Sequence, residues 1–303
     1  MAAGTSTRTT IGGRELSVSN LGKVLFPQIG FTKGQLIDYY VRIAEVMLPH
    51  IRERPLTMKR FPDGVEGKSF FEKHMPSHAP DWVHSVNVPA NDGKDLIPYV
   101  MVDDLPTLAW AANLGTIELH VPLWHVGRRR KLPARPDFMV FDLDPGEGTS
   151  IVECCVVAGY VMDELDKDGL EPFAKTSGSK GLQLYAAVGQ KTDWDGVRSH
   201  AYDIARKLET ERRDLVVSNM RKSLRRGRVL IDWSQNHPAK TTVAVYSARA
   251  MPSPTVSAPV TREEVHRCAT DEDPHLLRFE TEDVLRRVEK DGDLFAPLGL
   301  PAP

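Results

Sequence analysis

A chain of 303 residues, 41% hydrophobic and 26% charged, has ordinary globular composition and length enough for a large core, as one elaborate domain or two intimate ones. A net charge of −2 excludes a polycation, so any nucleic-acid role must rest on local basic patches. Cys154, Cys155 and Cys268 make neither a disulfide framework nor a zinc pair, and no apolar run has the length of a signal segment or membrane span, so a reduced, cytosolic protein is expected.

Residues 1–12 are small and polar and read as a loose, flexible tail. The remainder, 13–303, shows no linker or internal repeat and reads as a single domain. Two short apolar stretches lie between Leu16 and Leu25. Thr32 opens a helix with Gln35 as its capping-box partner; Leu36, Tyr39, Ile43 and Met47 follow at helical spacing, and Pro49 is expected to stop it. A strand over 55–61 ends in Lys59, Arg60 and Phe61. Beyond a Pro-Asp-Gly turn, Phe70 and Phe71 are adjacent, so a regular strand cannot turn both toward one core. Either one ring meets solvent or a ligand, or a bulge buries both.

A strand at 99–102, a short helix over 105–113 closed by Gly115, and a strand over 117–121 come next; the last puts Glu118 and His120 on one face. The basic loop Gly127–Arg135 is either a solvated face or a contact for phosphate backbone. Phe138 to Phe141 is an apolar strand that runs into Asp142-Leu-Asp144 and is stopped by Pro145 and Gly146. Side chains alternate along a strand, so Asp142 and Asp144 project from one face. Carboxylates that close repel unless a cation sits between them, and oxygen ligands at this spacing suit Mg²⁺ or Mn²⁺. A strand entering an acidic turn is the plainer alternative for such a pair alone.

Ser150 caps a helix over 151–166. A strand near Phe173 leads into Thr176-Ser-Gly-Ser-Lys-Gly181, whose glycines, hydroxyls and ammonium could cradle phosphate, although it is not a Walker A loop. A helix covers 194–208. Residues 221–228 hold five cations and run into the strand 229–233, where Asp232 sits among apolar residues; an unpaired charge there is costly unless it joins Asp142 and Asp144 at a metal. A loop with Gln235 and Lys240, a strand over 242–246, and helices over 261–268 and 281–290 complete a mixed α/β chain with polar clusters at strand ends. Arg225 and Arg249 flank the Asp232 strand and the next, where guanidinium groups could grip phosphate oxygens. Three acids with several phosphate-binding cations describe nucleotidyl transfer through two metal ions.

Taken in order, Lys23-Val-Leu-Phe-Pro, Phe70-Phe-Glu-Lys, Glu118-Leu-His-Val-Pro, Val140-Phe-Asp-Leu-Asp-Pro-Gly-Glu, Thr176-Ser-Gly-Ser-Lys-Gly-Leu, Asp232-Trp-Ser-Gln-Asn, Lys240-Thr-Thr and Tyr246-Ser-Ala-Arg resemble the polymerase domain of bacterial ligase D, a member of the archaeo-eukaryotic primase superfamily. The resemblance spans about 15–295. It implies a primase-polymerase catalytic core with an RRM-like antiparallel sheet plus an associated α/β unit. It further implies a template-dependent DNA and RNA polymerase that fills gaps and extends ends at double-strand breaks in non-homologous end joining. Two Mn²⁺ or Mg²⁺ ions, nucleoside triphosphates with a preference for ribonucleotides, and DNA gaps or overhangs bearing a 5′-phosphate are the implied cofactors and substrates. Ku and a DNA ligase are the implied partners of a monomer that works on cytoplasmic, nucleoid-associated DNA and not at a membrane.

Residue by residue, the resemblance assigns Asp142, Asp144 and Asp232 to the metals. It assigns His120, Ser177, Lys180, Gln183, Arg225, Gln235 and Arg249 to the nucleotide. Lys23 and Lys33 fall where the family binds the 5′-phosphate, Phe70 and Phe71 where rings stack on bases, and Arg60 beside that duplex. The family has histidine where this chain has Gln183, which can donate a hydrogen bond but carries neither proton nor charge. Reduced or altered catalysis is therefore expected. The alternatives are a stand-alone primase-polymerase for short-gap filling in excision repair, and a non-catalytic module that binds DNA ends.

Overall fold

The computed structural model describes residues 6–90, 93, 95–127, 132–189 and 191–300. Residues 6–11, expected within a loose tail, instead form β1 (Ser6–Ile11), paired antiparallel with β2 (Arg14–Ser19). The turn is Gly12-Gly13, both at positive φ (55° and 78°), as a two-residue hairpin with the right twist requires. Leu16 and Val18 alternate inward on β2 and anchor the hairpin on the core. A second small hairpin joins β3 (Val24–Phe26) and β4 (Phe31–Thr32).

The helix α1 (Lys33–Ile51) has the capping box foreseen at Thr32 and Gln35, and buries Leu36, Tyr39, Ile43 and Met47. Pro49 does not stop it. A proline in the last turn removes one N–H from the ladder, and Arg52 N still donates across it to Leu48 O at 2.9 Å. Next come β5 (Pro55–Arg60), β6 (Phe70–Glu72), β7 (Ser85–Pro89), β8 (Leu96–Met101), α2 (Leu105–Asn113) and β9 (Thr116–Pro122). Gly115, at φ 77°, closes α2 as expected. Of the basic loop, Arg128 to Lys131 lie outside the described residues.

The second half adds β10 (Phe138–Pro145), α3 (Ile151–Lys167), β11 (Pro172–Thr176), β12 (Leu182–Ala187), α4 (Trp194–Glu211), β13 (Val216–Val217), β14 (Val229–Asp232), β15 (Thr241–Val243), β16 (Pro259–Val260), α5 (Arg262–Asp271) and α6 (Thr281–Asp291). One six-stranded sheet has the order β13-β14-β10-β12-β11-β16, antiparallel except between β13 and β14. The other runs β15-β9-β5-β8-β7, with β6 on the edge of β5. The class is mixed α/β with antiparallel sheets, as the sequence implies.

Alternation along β10 decides where the chemistry sits. Met139, Phe141 and Leu143 point to one face and join Cys154, Val157, Ala158 and Val161 of α3 in one core. Val140 points the other way, into the core beneath the second sheet. Asp142 and Asp144 share the Val140 face, so the acids look away from the helices and toward the opposing sheet. β14 ends at Asp232, and past that point the fully buried Asn236 takes over the pairing. Its Oδ1 accepts from Val140 N at 2.9 Å and its Nδ2 donates to Val140 O at 2.7 Å. Replacing it strands two backbone groups of β10, each costing about 1–3 kcal/mol. Asn236→Ala is expected to lower unfolding stability by about 2–5 kcal/mol, read as a shift of the urea midpoint at unchanged slope.

Candidate active site

The strand register sets four side chains in one row across the first sheet. Lys175 on β11 stands opposite Gln183 on β12, Gln183 opposite Asp142 on β10, and Asp142 opposite Asp232 on β14. Asp144 lies two residues further along the Asp142 face. Gln183 Nε2 donates to Asp142 Oδ1 at 3.1 Å. Asp232 is held by the turn behind its own strand: Oδ1 accepts from Ser234 N (2.9 Å) and Ser234 Oγ (2.6 Å), and Oδ2 from Gln235 Nε2 (3.1 Å). Lys240 Nζ backs this turn through Ser234 Oγ at 2.6 Å.

Burial, then the charge of Asp144, lifts Asp142 from the ordinary 3.8 to about 7, with Asp232 adding and Gln183 and Lys175 opposing. Asp144 is also raised, by burial and then by Asp232, while Arg225 pulls it down. Among the described residues no group of three or more His, Cys, Asp or Glu is placed to hold a metal ion by itself. The acids nevertheless fit a hard divalent cation. All donors are oxygen, a cation would relieve the repulsion, and Mg²⁺ and Mn²⁺ bind through one or two carboxylates completed by phosphate and water.

A cleft of about 450 Å³ opens over this edge. Asp142, Asp144 and all seven residues assigned to the nucleotide line it: His120, Ser177, Lys180, Gln183, Arg225, Gln235 and Arg249. Asp232, half-buried, is not part of the lining. The loop after β11 folds on Ser177, whose Oγ accepts from Ser179 N (3.2 Å) and Gly181 N (3.0 Å). Glycine at 178 and 181 answers to the chain's own packing. A Cβ on Gly181 would stand 2.1 Å from Leu143 O, and one on Gly178 2.7 Å from Arg249 Cγ at positive φ. Arg249 donates to Ser177 O, and Arg225 Nη2 to Met220 O at 2.6 Å. The Nε groups of both arginines are buried without a hydrogen bond; Arg249 Nε faces the Glu118 carboxylate at 3.4 Å, which leaves Arg225 Nε as the donor suited to an anionic ligand.

Glu118, singled out in the sequence only for its face, is the hub of the opposite wall. It is 2% exposed, and its carboxylate accepts from His120 Nε2 (3.0 Å) and Ala250 N (3.2 Å), with Lys59 Nζ and Arg249 Nε each 3.4 Å away. Burial works to raise it, but His120, Arg249 and Lys59 together bring it down to about 2. Burial in turn pushes His120 below its ordinary value, with Arg249 and Lys59 adding and Glu118 opposing. The ion pair that matters is therefore Glu118 with the two cations. An acceptor-only carboxylate against His120 Nε2 favours the form that carries a proton on that nitrogen.

The remaining five assigned residues form a separate cluster. Lys33 is nearly buried, reaches Ser19 Oγ at 3.3 Å, and is lowered to about 8 by burial and then by the charges of Lys23 and Arg60. Lys23 pairs with Asp63 at 2.8 Å and Arg60 with Glu72 at 2.7 Å. Phe70 and Phe71 are 45% and 58% exposed, so both rings reach the surface and neither is buried in a bulge. β6 is a three-residue strand on the edge of β5. Arg60 lies 5.4 Å from the Phe70 ring, whereas Phe71 meets His120 edge-on at 5.6 Å and so joins this cluster to the cleft.

The family described as LigD, primase-polymerase domain, matches residues 32–295. The chain is 41% identical over 286 residues to the multifunctional non-homologous end joining protein LigD of Mycolicibacterium smegmatis, covering 94% of this chain and 36% of that protein. It is 29% identical over 279 residues to the bifunctional non-homologous end joining protein LigD of Bacillus subtilis, covering 92% of this chain and 43% of that one. The chain thus spans less than half the length of either relative. Its fold is similar to that of the polymerase domain from Mycobacterium tuberculosis ligase D in complex with DNA, with a TM-score of 0.88 at 41% identity over 95% of this chain and 99% of that one.

An acid raised from 3.8 to about 7 destabilises the metal-free fold as pH climbs between those values, because the unfolded chain ionises first. Without divalent ions, the contribution of Asp142 to stability is therefore expected to fall from pH 4 to pH 7. Asp142→Asn should match wild type near pH 4 and melt several degrees higher at pH 8, as calorimetry with chelator would read.

Proposed function

The chain belongs to the LigD primase-polymerase family, a nucleotidyltransferase family of DNA repair, and we propose that it is a template-dependent polymerase that fills gaps and extends ends in non-homologous end joining. One observation carries this reading: a single cleft gathers Asp142, Asp144, the Ser177–Lys180 loop and the guanidinium groups of Arg225 and Arg249, with Arg225 Nε buried and without a hydrogen bond. Nucleotide use and divalent-metal dependence follow from the family. The finer proposal is two ions, Mn²⁺ or Mg²⁺, held by Asp142, Asp144 and Asp232, with ribonucleotides favoured.

When bound, such ions would stabilise the attacking 3′-oxygen and the departing pyrophosphate. The chain's own contribution is placement. Ser177, Lys180, Arg225 and Arg249 grip the triphosphate, and Gln235 and Gln183 orient the acids. His120, fixed by Glu118, lines the sugar and base side of the pocket. Lys23 and Lys33 take the 5′-phosphate of the downstream strand, while Phe70 and Phe71 stack on bases without regard to sequence, at about 1–3 kcal/mol each. The DNA-bound state of the mycobacterial polymerase domain supports a DNA substrate. Ku and a ligase are the proposed partners of a monomer acting at nucleoid breaks. Among the described residues no helix is long and apolar enough to cross a membrane.

Primer extension on gapped DNA with Mn²⁺ and ribonucleotides tests the reading. Asp142→Ala with Asp144→Ala should lower the rate by about 10³-fold or more. Wild type no faster than that variant would leave only an end-binding module, whose affinity should survive the double change and fall with Lys23→Ala and Lys33→Ala. Product on unprimed template, or extension indifferent to the 5′-phosphate, would favour the priming or excision-repair readings. Because Lys33 is lowered to about 8, stimulation by the 5′-phosphate should weaken as pH rises through 8.

A further inference from the structure

Behind the acids, the cross-strand row ends in a buried cation. Lys175 is 1% exposed, and its Nζ lies 2.6 Å from Gln183 Oε1, 2.7 Å from Ser257 Oγ and 3.0 Å from Val243 O. Ser257 Oγ commits its own hydrogen to Thr176 O at 2.7 Å, so toward Lys175 it can only accept. Burial and then the charge of Arg249 pull Lys175 well below the usual lysine range, while three acceptors matched to the three N–H groups of an ammonium, together with the charge of Asp142, work to keep its proton.

We propose that Lys175 is a positioning residue for the aspartate site, holding the Gln183 amide so that its N–H, and not its carbonyl, faces Asp142. The side-chain oxygen and nitrogen of glutamine are nearly alike in shape, and the surroundings choose between them. With Oε1 drawn to Lys175, Nε2 is left to donate to Asp142 Oδ1 at 3.1 Å. The flipped amide would set its carbonyl against a carboxylate and its N–H groups against an ammonium, unfavourable at both ends. The engaged Oδ1 fixes the plane of the carboxylate and leaves the other oxygen for a cation.

The same ammonium reaches Val243 on β15, which lines the far wall of the cleft with Thr242. Tyr185, next on the Gln183 face of β12, makes a second tie there, its hydroxyl donating to Thr242 Oγ1 at 2.9 Å. Lys175 therefore references Asp142 to the opposite sheet as well as to its own. The Gln183 side chain needs no proton or charge of its own for this role, because the charge behind it belongs to Lys175.

This inference rests on the reading of the aspartates as a cation site, and the experiment separates the two. Mn²⁺ binding to the nucleotide-free protein is followed by the free-Mn²⁺ paramagnetic resonance signal for wild type, Asp142→Ala, Gln183→Leu, Lys175→Met and the Lys175→Met, Gln183→Leu pair. Loss of a group that orients a metal ligand typically costs about 10–100-fold in affinity. Gln183→Leu and Lys175→Met should each weaken binding by about tenfold, and the pair no more than either alone, since Lys175 acts through the amide. If wild type binds no Mn²⁺, or Asp142→Ala binds as tightly, the cation site falls and the inference with it. If Asp142→Ala loses Mn²⁺ while Gln183→Leu or a folded Lys175→Met binds like wild type, the cation site stands and the positioning role is overturned. Additive losses in the pair overturn it too. Should Lys175→Met not fold, Gln183→Leu decides, because the hydrogen-bonded path from Lys175 to the aspartate runs through that side chain, while the direct attraction between the two charges stays in place in that variant.

Discussion

Antiparallel pairing of β10 with β14 sets Asp142 directly opposite Asp232, with Asp144 one step along the same face. Like charges opposed across strands repel, and burial removes the water that would screen them. The surroundings of the site are organised around that constraint. Asp232 is met by Ser234 and Gln235 from the turn that ends its strand, and Asp142 by Gln183 from the neighbouring strand. What remains uncompensated keeps Asp142 and Asp144 raised, and a divalent cation is the group that would discharge it.

The same sheet solves a second problem, that of keeping reactive groups apart from the core. Odd positions of β10 and even positions of β12 pack on α3, while the complementary positions face the opposing sheet. The acids are thus carried on the back of a tightly packed apolar layer and face a wall built by β9 and β15. Glu118 orders that wall much as Gln183 orders the acids, by holding Arg249, Lys59 and His120 around one buried carboxylate. On the outer edge, Lys23, Lys33, Arg60 and the two exposed phenylalanines make a surface fit for a charged, stacked polymer. Phe71 against His120 makes that surface continuous with the cleft. A net charge near zero is no obstacle to binding DNA when the cations are gathered in this way.

Local chemistry was readable wherever it depends on neighbours in sequence. The capping boxes at Thr32 and Ser150, the stop at Gly115 and the shared face of Asp142 and Asp144 need only periodicity and side-chain type. Misreadings came where distant residues overrule that. Polar residues 6–11 form a strand because Gly12-Gly13 turns them back along β2, a hairpin signal present in the sequence and outweighed there by composition. Pro49 does not end α1, since the buried face continues to Ile51. Ser85–Pro89 alternates, with Val86 and Val88 inward, but over only five residues, too short a run to announce β7 by itself.

The sequence by itself determined the type of chemistry: three acids at strand ends, a small-residue loop with a lysine, and cations and rings in the order that marks the family. The tertiary structure alone decided how these meet. Register across β11, β12, β10 and β14 aligns Lys175, Gln183, Asp142 and Asp232, residues up to 90 positions apart or brought together from separate strands, and no local pattern encodes such a register. It also decided the surroundings of Glu118, Lys175 and Asn236: a buried polar side chain takes its role from its partners, and each of the three has partners far away in the chain.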